Sequence, residues 1–182
     1  GNYSAGAGVK VAVIDTGIYS AHPDLDGNIA HDAITYTSGG KTYTGTFPMS
    51  VVVDDNGVNT SEDDNGHGTH VAGIVAAEAN NSSFVSGVAP GAKIYSIDVF
   101  GYHGGRFAAY SSDIIRAIDA AIAADVDVIN LSLGGYGSPS AAEEAKINQA
   151  VAAGIVVVAA AGNSNTTAAH YPSDYANVIA VI

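Results

Sequence analysis

The chain has 182 residues, enough for one domain with a sizeable hydrophobic core. Its 18 acidic and 6 basic residues give a formal net charge of -12. A surface this acidic repels phosphate backbones and anionic lipid, which argues against nucleic-acid and membrane partners. The absence of cysteine excludes disulfides, zinc-thiolate sites and a cysteine nucleophile.

The predicted elements alternate between short strands rich in Val and Ile and helices with an apolar stripe. Strands are expected over 9–14, 92–100, 126–133, 155–161 and 178–182, and helices over 67–79, 112–124 and 141–153. This alternation predicts a single α/β domain over residues 1–182 with a parallel sheet, since neither an internal repeat nor a linker interrupts it.

Residues 25–66 do not fit this alternation. The segment is polar, rich in Gly, Thr, Asp and Asn, and weakly periodic, so it is expected to form a long inserted loop. The loop has room for one hairpin, bounded by 41–44 and 51–53. So long an irregular segment in a compact domain is more often functional or inserted than incidental.

Three polar residues stand beside predicted strand or helix ends. Asp15 ends the first strand, His67 lies among glycines at the start of a helix, and Asn163 follows a buried strand. Each residue alone is ordinary, because Asp, His and Asn often serve turns and caps. Ligands of parallel α/β sheets bind at the carboxyl ends of the strands, so one crevice is expected to hold Asp15, Gly134 and Asn163.

The sequence resembles the subtilisin-like serine proteases over essentially its whole length. The stretches that carry the resemblance are 11–18, 22–25, 65–73, 87–90, 128–135, 157–163 and 171–172. It implies a three-layer subtilisin-like fold, with a mostly parallel central sheet flanked by helices and truncated at both ends. It also implies a serine endopeptidase that uses an Asp-His-Ser triad.

Carried onto this sequence, the resemblance makes Asp15 the acid that orients the imidazole and His67 the general base. Asn163 becomes the side-chain donor of the oxyanion hole. The family's nucleophile lies in a Gly-Thr-Ser motif, and no such motif occurs in these 182 residues. We therefore expect no acyl-enzyme chemistry from this chain alone.

Three explanations of the missing motif stay open. The chain is part of a protease whose remaining residues come from a continuation or another chain, or it is a truncated pseudo-protease that binds peptides without cutting them. A purely structural acidic domain is the third, and it leaves the catalytic positions unexplained.

The resemblance also assigns residues to substrate binding. One segment is expected to pair with an extended polypeptide, and a second to form the opposite wall of the pocket for the residue before the scissile bond. These residues are Ser132, Leu133 and Gly134, then Ala160, Ala161 and Gly162, with Phe100 beside them. The small residues on both walls imply a roomy, mostly apolar slot without a buried charge to select Lys or Arg.

The resemblance also implies a structural calcium ion as the cofactor, and Ca²⁺ binds six to eight hard oxygens. The ligands implied by the resemblance are Asp24, Asn81 and the carbonyls of Ala79, Ser83 and Val85. An ordinary Asn-rich surface loop is the alternative. The acidic runs 54–56 and 62–64 are candidates for a second cation, although a solvated charged loop explains them equally well. Beyond the polypeptide substrate, the expected partners are the C-terminal part of the domain, a propeptide or an inhibitor, and the location is extracellular.

Overall fold

The computed structural model of the chain describes residues 5–52, 54–55, 57, 60–82 and 85–182. Its three helices are α1 (His67–Ala76), α2 (Ser111–Ala123) and α3 (Ala141–Ala152). Its strands are β1 (Lys10–Asp15), β2 (Ala33–Ser38), β3 (Lys41–Thr46), β4 (Met49–Ser50), β5 (Lys93–Asp98), β6 (Phe100–His103), β7 (Arg106–Ala109), β8 (Val128–Leu131), β9 (Gly135–Tyr136), β10 (Val156–Ala160), β11 (His170–Tyr171) and β12 (Ile179–Val181).

Six of these strands form one parallel sheet in the order β12-β10-β8-β1-β5-β4. Strands β1 and β5 are buried on both faces, which is why the interior of β1 consists of Val, Ala and Ile without strict alternation. This confirms the expected α/β fold with a mostly parallel sheet. The carboxyl ends of β1, β5, β8 and β10 lie along the same edge.

Helices cover the two faces of the sheet unequally. On one face, α2 and α3 pack over the strands through buried residues such as Ile118 and Ile147. On the other face, α1 packs against β1 and β5. The register places Val156, Ile179 and Val181 on that same side, where their side chains are exposed. The described residues therefore leave the β10–β12 part of this face uncovered.

The segment 25–66 contains more regular structure than the expected loop. A hairpin does form, but β3 pairs with β2, so the proposed boundary at 51–53 is wrong. The two strands meet at Gly39 and Gly40, whose positive φ angles of 55° and 77° suit a tight hairpin turn. Strand β4 instead joins the central sheet beside β5, and Val51 and Val52 after it are buried.

Two small sheets were not anticipated from the sequence. Strands β6 and β7 form a hairpin directly after β5, and β9 pairs with β11. Both lie beyond the carboxyl edge of the central sheet, next to the residues expected to bind substrate. Among the described residues, no helix is long and apolar enough to cross a membrane.

Candidate active site

Asp15 and His67 meet at the carboxyl end of β1. The Nδ1 atom of His67, the first residue of α1, lies 2.6 Å from Oδ1 of Asp15. Asp15 is fully buried, whereas 49% of the His67 side chain is exposed. Burial raises the pKa of the Asp15 carboxyl, and the hydrogen bonds from His67 and the Thr16 backbone partly oppose this rise. The arrangement fixes one imidazole nitrogen on a carboxylate and leaves the other edge of the ring towards solvent.

The start of α1 is fastened by side chains that satisfy its first three N–H groups. Asn65 accepts from the N–H of His67 at 3.3 Å, and Thr16 accepts from that of Gly68 at 2.9 Å. Asp63 accepts from both the N–H and the hydroxyl of Thr69, at 2.8 and 2.6 Å. These groups have no partner within the helix, so side-chain acceptors are needed to hold the helix end in place.

Asp63 and Thr16 connect this helix end to β1. The Thr16 hydroxyl donates to Asp63 Oδ1 at 2.9 Å while it accepts from Gly68. Burial acts to raise the pKa of Asp63, but the hydrogen bonds from Thr69, Gly66 and Thr16 outweigh it and hold this pKa below its usual value. Asp63 is therefore a capping residue in this structure, which gives part of the acidic run 62–64 a role other than the proposed second cation site.

Gly68 permits the close approach of α1 to β1. A Cβ atom at this position would overlap the backbone carbonyl oxygen of Gly17 and lie 3.2 Å from the Thr16 amide nitrogen. A glycine directly after His67 therefore lets the imidazole reach Asp15.

Asp98 is the cross-strand neighbour of Asp15. The two residues are paired in the parallel register of β1 and β5, so their side chains lie on the same face of the sheet. Only 6% of Asp98 is exposed, and burial raises its pKa to about 7. Hydrogen bonds from the Phe100 amide and the Ser50 hydroxyl counteract part of this rise, whereas Asp64 and Asp63 add to it.

The expected substrate-binding residues lie along the same edge of the sheet. Ser132–Gly134 follows β8, and Ala161–Asn163 follows β10, where Ala160 is the last strand residue. The side chain of Asn163 is exposed and makes no hydrogen bond with the described residues. Phe100 lines a cleft of about 470 Å³ together with Leu133 and Gly134.

The proposed calcium ligands are only partly brought together. The buried Asp24 carboxylate accepts from the Asn81 side-chain amide at 2.6 Å and from the Val85 backbone N–H at 3.1 Å. Ala79 precedes these residues in the same loop, and Ser83 lies outside the described residues. In the described part of the chain, no group of three or more His, Asp or Glu side chains is arranged to hold a metal ion.

Sequence reasoning missed two polar residues of this edge, Asp98 and His170, and considered Asp63 only as part of a second cation site. Asp63, Asp98 and His170 are all brought to it by contacts between distant segments. Asp98 carried the clearest available signal, because it is an acidic residue two positions before the end of the predicted strand 92–100, much as Asp15 stands at the end of the first strand. The other two gave none, since an Asp in an acidic run and a His before Tyr-Pro are unremarkable.

Comparison with known proteins gives consistent matches over nearly the whole chain. The sequence model of the Subtilase family (Peptidase_S8) matches residues 6–182. Subtilisin BL from Lederbergia lenta is 44% identical over 176 residues, and thermitase from Thermoactinomyces vulgaris is 41% identical over 177 residues. Each alignment covers 97% of this chain and 55% of the relative.

Solved structures agree with the sequence matches. The S41 psychrophilic protease superposes with a TM-score of 0.75 at 35% identity, and sphericase with a TM-score of 0.75 at 32% identity. Both cover 97% of this chain and 53% of the other one. The chain therefore spans about half the length of these relatives.

Proposed function

Because the chain belongs to the subtilase family, we propose that it is the part of a serine endopeptidase that carries the acid and the base of the catalytic triad. The observation that carries this proposal is the 2.6 Å contact between His67 Nδ1 and the buried Asp15 carboxylate. An ionised carboxylate can only accept, so Nδ1 carries the proton and Nε2 keeps its lone pair. That lone pair is the base that removes a proton from a serine hydroxyl.

In this proposal, three residues at the edge take part in peptide hydrolysis. Asp15 holds the imidazole in the correct tautomer and stabilises its cationic form after proton transfer. His67 then returns the proton to the leaving amine. Asn163 donates from its side-chain amide to the oxyanion, a role that is open to it because its exposed side chain has no hydrogen-bond partner among the described residues.

The substrate is an extended polypeptide that adds a strand beside Ser132–Gly134. Ala160–Gly162 forms the facing wall, and the cleft lined by Phe100 and Leu133 receives substrate residues further from the scissile bond. Both segments directly follow neighbouring parallel strands, β8 and β10, at the carboxyl edge of the sheet, which supports this assignment. By similarity to the subtilisins, we also propose that the protein acts outside the cell.

The nucleophilic serine is proposed to come from sequence outside these 182 residues or from a second polypeptide. The relatives are about twice as long as the chain, and Gly-Thr-Ser is absent from it. The uncovered sheet face supports a further partner, because Val156, Ile179 and Val181 are 44%, 56% and 53% exposed. Exposed apolar surface of this kind is typical of an interface.

A peptide-binding pseudo-protease is the alternative function. The same lack of a serine motif favours it, and the cleft beside Gly134 would serve binding without hydrolysis. The intact mass of material purified from its source separates the two, because a protease requires a second polypeptide or a continuation that carries the serine, whereas a pseudo-protease requires neither.

Labelling with a fluorophosphonate tests the catalytic proposal directly. We expect no stable labelling of the 182-residue chain alone, and labelling with peptide cleavage once a serine-bearing segment is supplied. His67→Ala should then lower the cleavage rate by about six orders of magnitude, and Asp15→Asn by about four. Asp26→Asn, a surface carboxylate away from the site, is the matched control. Stable labelling of the chain alone, or undiminished cleavage by His67→Ala, would contradict the proposal.

We further propose a structural calcium ion at Asp24. The chemistry of the donor set suits a hard cation, since Asp24 has a buried carboxylate and Asn81, whose side-chain amide contacts it, also carries an amide oxygen. The carbonyls of Ala79 and Val85 would add to this set, with that of Ser83, which lies outside the described residues. The ion would tie the loop after α1 to the segment before β2. Chelation with EDTA should lower the melting temperature, and Ca²⁺ should restore it more effectively than Mg²⁺. An unchanged melting temperature would exclude the site.

A further inference from the structure

The imidazole of His170 occupies the space between the two segments assigned to the substrate pocket. A Cβ atom added to Gly134 would overlap Cε1 of His170. A Cβ atom added to Gly162 would lie 3.1 Å from Cδ2 and 3.2 Å from Nε2 of the same ring. One edge of a single imidazole therefore faces both glycines, the last residues of Ser132–Gly134 and Ala160–Gly162.

His170 is held firmly in this position. It is 6% exposed and pairs with Tyr136 in the small sheet of β9 and β11. Its backbone N–H donates to the Asp174 carboxylate at 3.0 Å, and its Nδ1 lies 3.0 Å from the Ser173 hydroxyl. A ring fixed at the backbone and at one nitrogen does not rotate away to admit a substrate side chain without breaking these contacts.

The tautomer of this ring follows from the Ser173 hydroxyl. That hydroxyl donates its only proton to the carbonyl oxygen of His170 at 2.9 Å, so it accepts from Nδ1–H. A neutral His170 therefore carries its lone pair on Nε2, on the edge that faces Gly134 and Gly162. Nε2 makes no hydrogen bond with any described residue.

Tyr136 narrows the same space from the side. Its ring packs edge-on against His170 with centroids 4.8 Å apart. Its hydroxyl accepts from the Ser164 amide at 3.2 Å and would lie 2.6 Å from a Cβ atom on Gly162. The residues of the two walls are small and by themselves predicted a roomy pocket. The rings of His170 and Tyr136 fill much of that space.

We propose that His170 forms the floor of the pocket for the residue whose carbonyl is attacked, termed here the acyl residue, and limits it to small side chains. With Tyr136 at the side, the pocket fits Ala or Ser and excludes Leu, Phe and Tyr. This inference rests on the proposed endopeptidase function, and it names the substrate class as peptides cut after a small residue.

The test is a set of peptides that differ only in the acyl residue, which is Ala, Leu or Phe. We expect kcat/KM of the serine-complemented protein to favour Ala over Phe by at least about tenfold, as pockets that differ by a few methylene groups discriminate. His170→Gly should raise the Phe-to-Ala ratio by about tenfold or more. His170→Gln, which keeps the bulk of the side chain, should leave the ratio near the wild-type value.

Two further measurements keep the outcomes distinct. The NMR signals of the His170 imidazole in the 182-residue chain should shift when the Ala peptide binds. This measurement requires no hydrolysis. His170→Ala replaces the glycine variant if thermal unfolding shows that the latter does not fold. A wild-type preference for Phe, or an equal gain in the Gly and Gln variants, would overturn the inference while the function stands. Wild-type protein that neither binds nor cuts any of the peptides would refute the proposed function itself.

Discussion

Asp98 gives the sharpest prediction on stability. Its carboxyl is buried beside Asp15, and burial raises its pKa to about 7 from the model-peptide value of 3.8. The folded chain therefore binds a proton more tightly than the unfolded chain does. The stability that this proton contributes is complete below pH 3.8, declines as the pH rises, and is lost once the pH passes about 7.

The size of the effect follows from the same pKa. Each pH unit between the two values changes the free energy of unfolding by about 1.4 kcal/mol. From pH 5 to pH 8.5 the wild type should lose about 3 kcal/mol through Asp98, since this contribution stops changing near pH 7. Asp98→Asn cannot ionise, and its side-chain oxygen can still accept from the Phe100 amide. We compare the free energy of unfolding of the variant with that of the wild type at each pH. The difference, variant minus wild type, should be about 3 kcal/mol more positive at pH 8.5 than at pH 5.

Urea unfolding followed by circular dichroism at both pH values measures this difference. Asp26→Asn removes a surface carboxylate and controls for the change in net charge. If Asp98→Asn changes the free energy of unfolding equally at pH 5 and pH 8.5, the buried carboxyl is not protonated in the folded chain, and the reasoning is wrong.

Two further predictions concern the start of α1. Gly68→Ala should cost about 1–3 kcal/mol and weaken the Asp15–His67 contact, because its Cβ overlaps the Gly17 carbonyl. Gly73→Ala, in the same helix with open space around its Cβ, should instead stabilise by about 0.5–1 kcal/mol, and equal effects in thermal melts would refute this account. Asp63→Asn should lower stability at pH 7 by about 1–2 kcal/mol through the lost charged cap. Because the pKa of Asp63 is lowered, this loss should shrink as the pH falls through that pKa, and a loss that persists in acid would contradict it.

The fold could be predicted from the sequence because its signals are local. Runs of Val and Ile that are separated by helices of ordinary length indicate a parallel sheet, and this prediction does not require knowing which strands pair with one another. Segment 25–66 gave the weakest pattern. Its hairpin forms at Gly39–Gly40, but the choice of Ala33–Ser38 as the partner of Lys41–Thr46 depends on a pairing that composition does not encode.

The sequence by itself determined the family and the three polar positions, Asp15, His67 and Asn163, because each is set in a motif of neighbouring residues. Only the tertiary structure decided what stands beside them. Asp98 becomes the neighbour of Asp15 through strand register, and His170 reaches Gly134 and Gly162 through the pairing of β9 with β11. The physical reason is that pKa values and pocket shape depend on contacts between segments far apart in the chain. Such contacts produce no periodic sequence pattern in either segment.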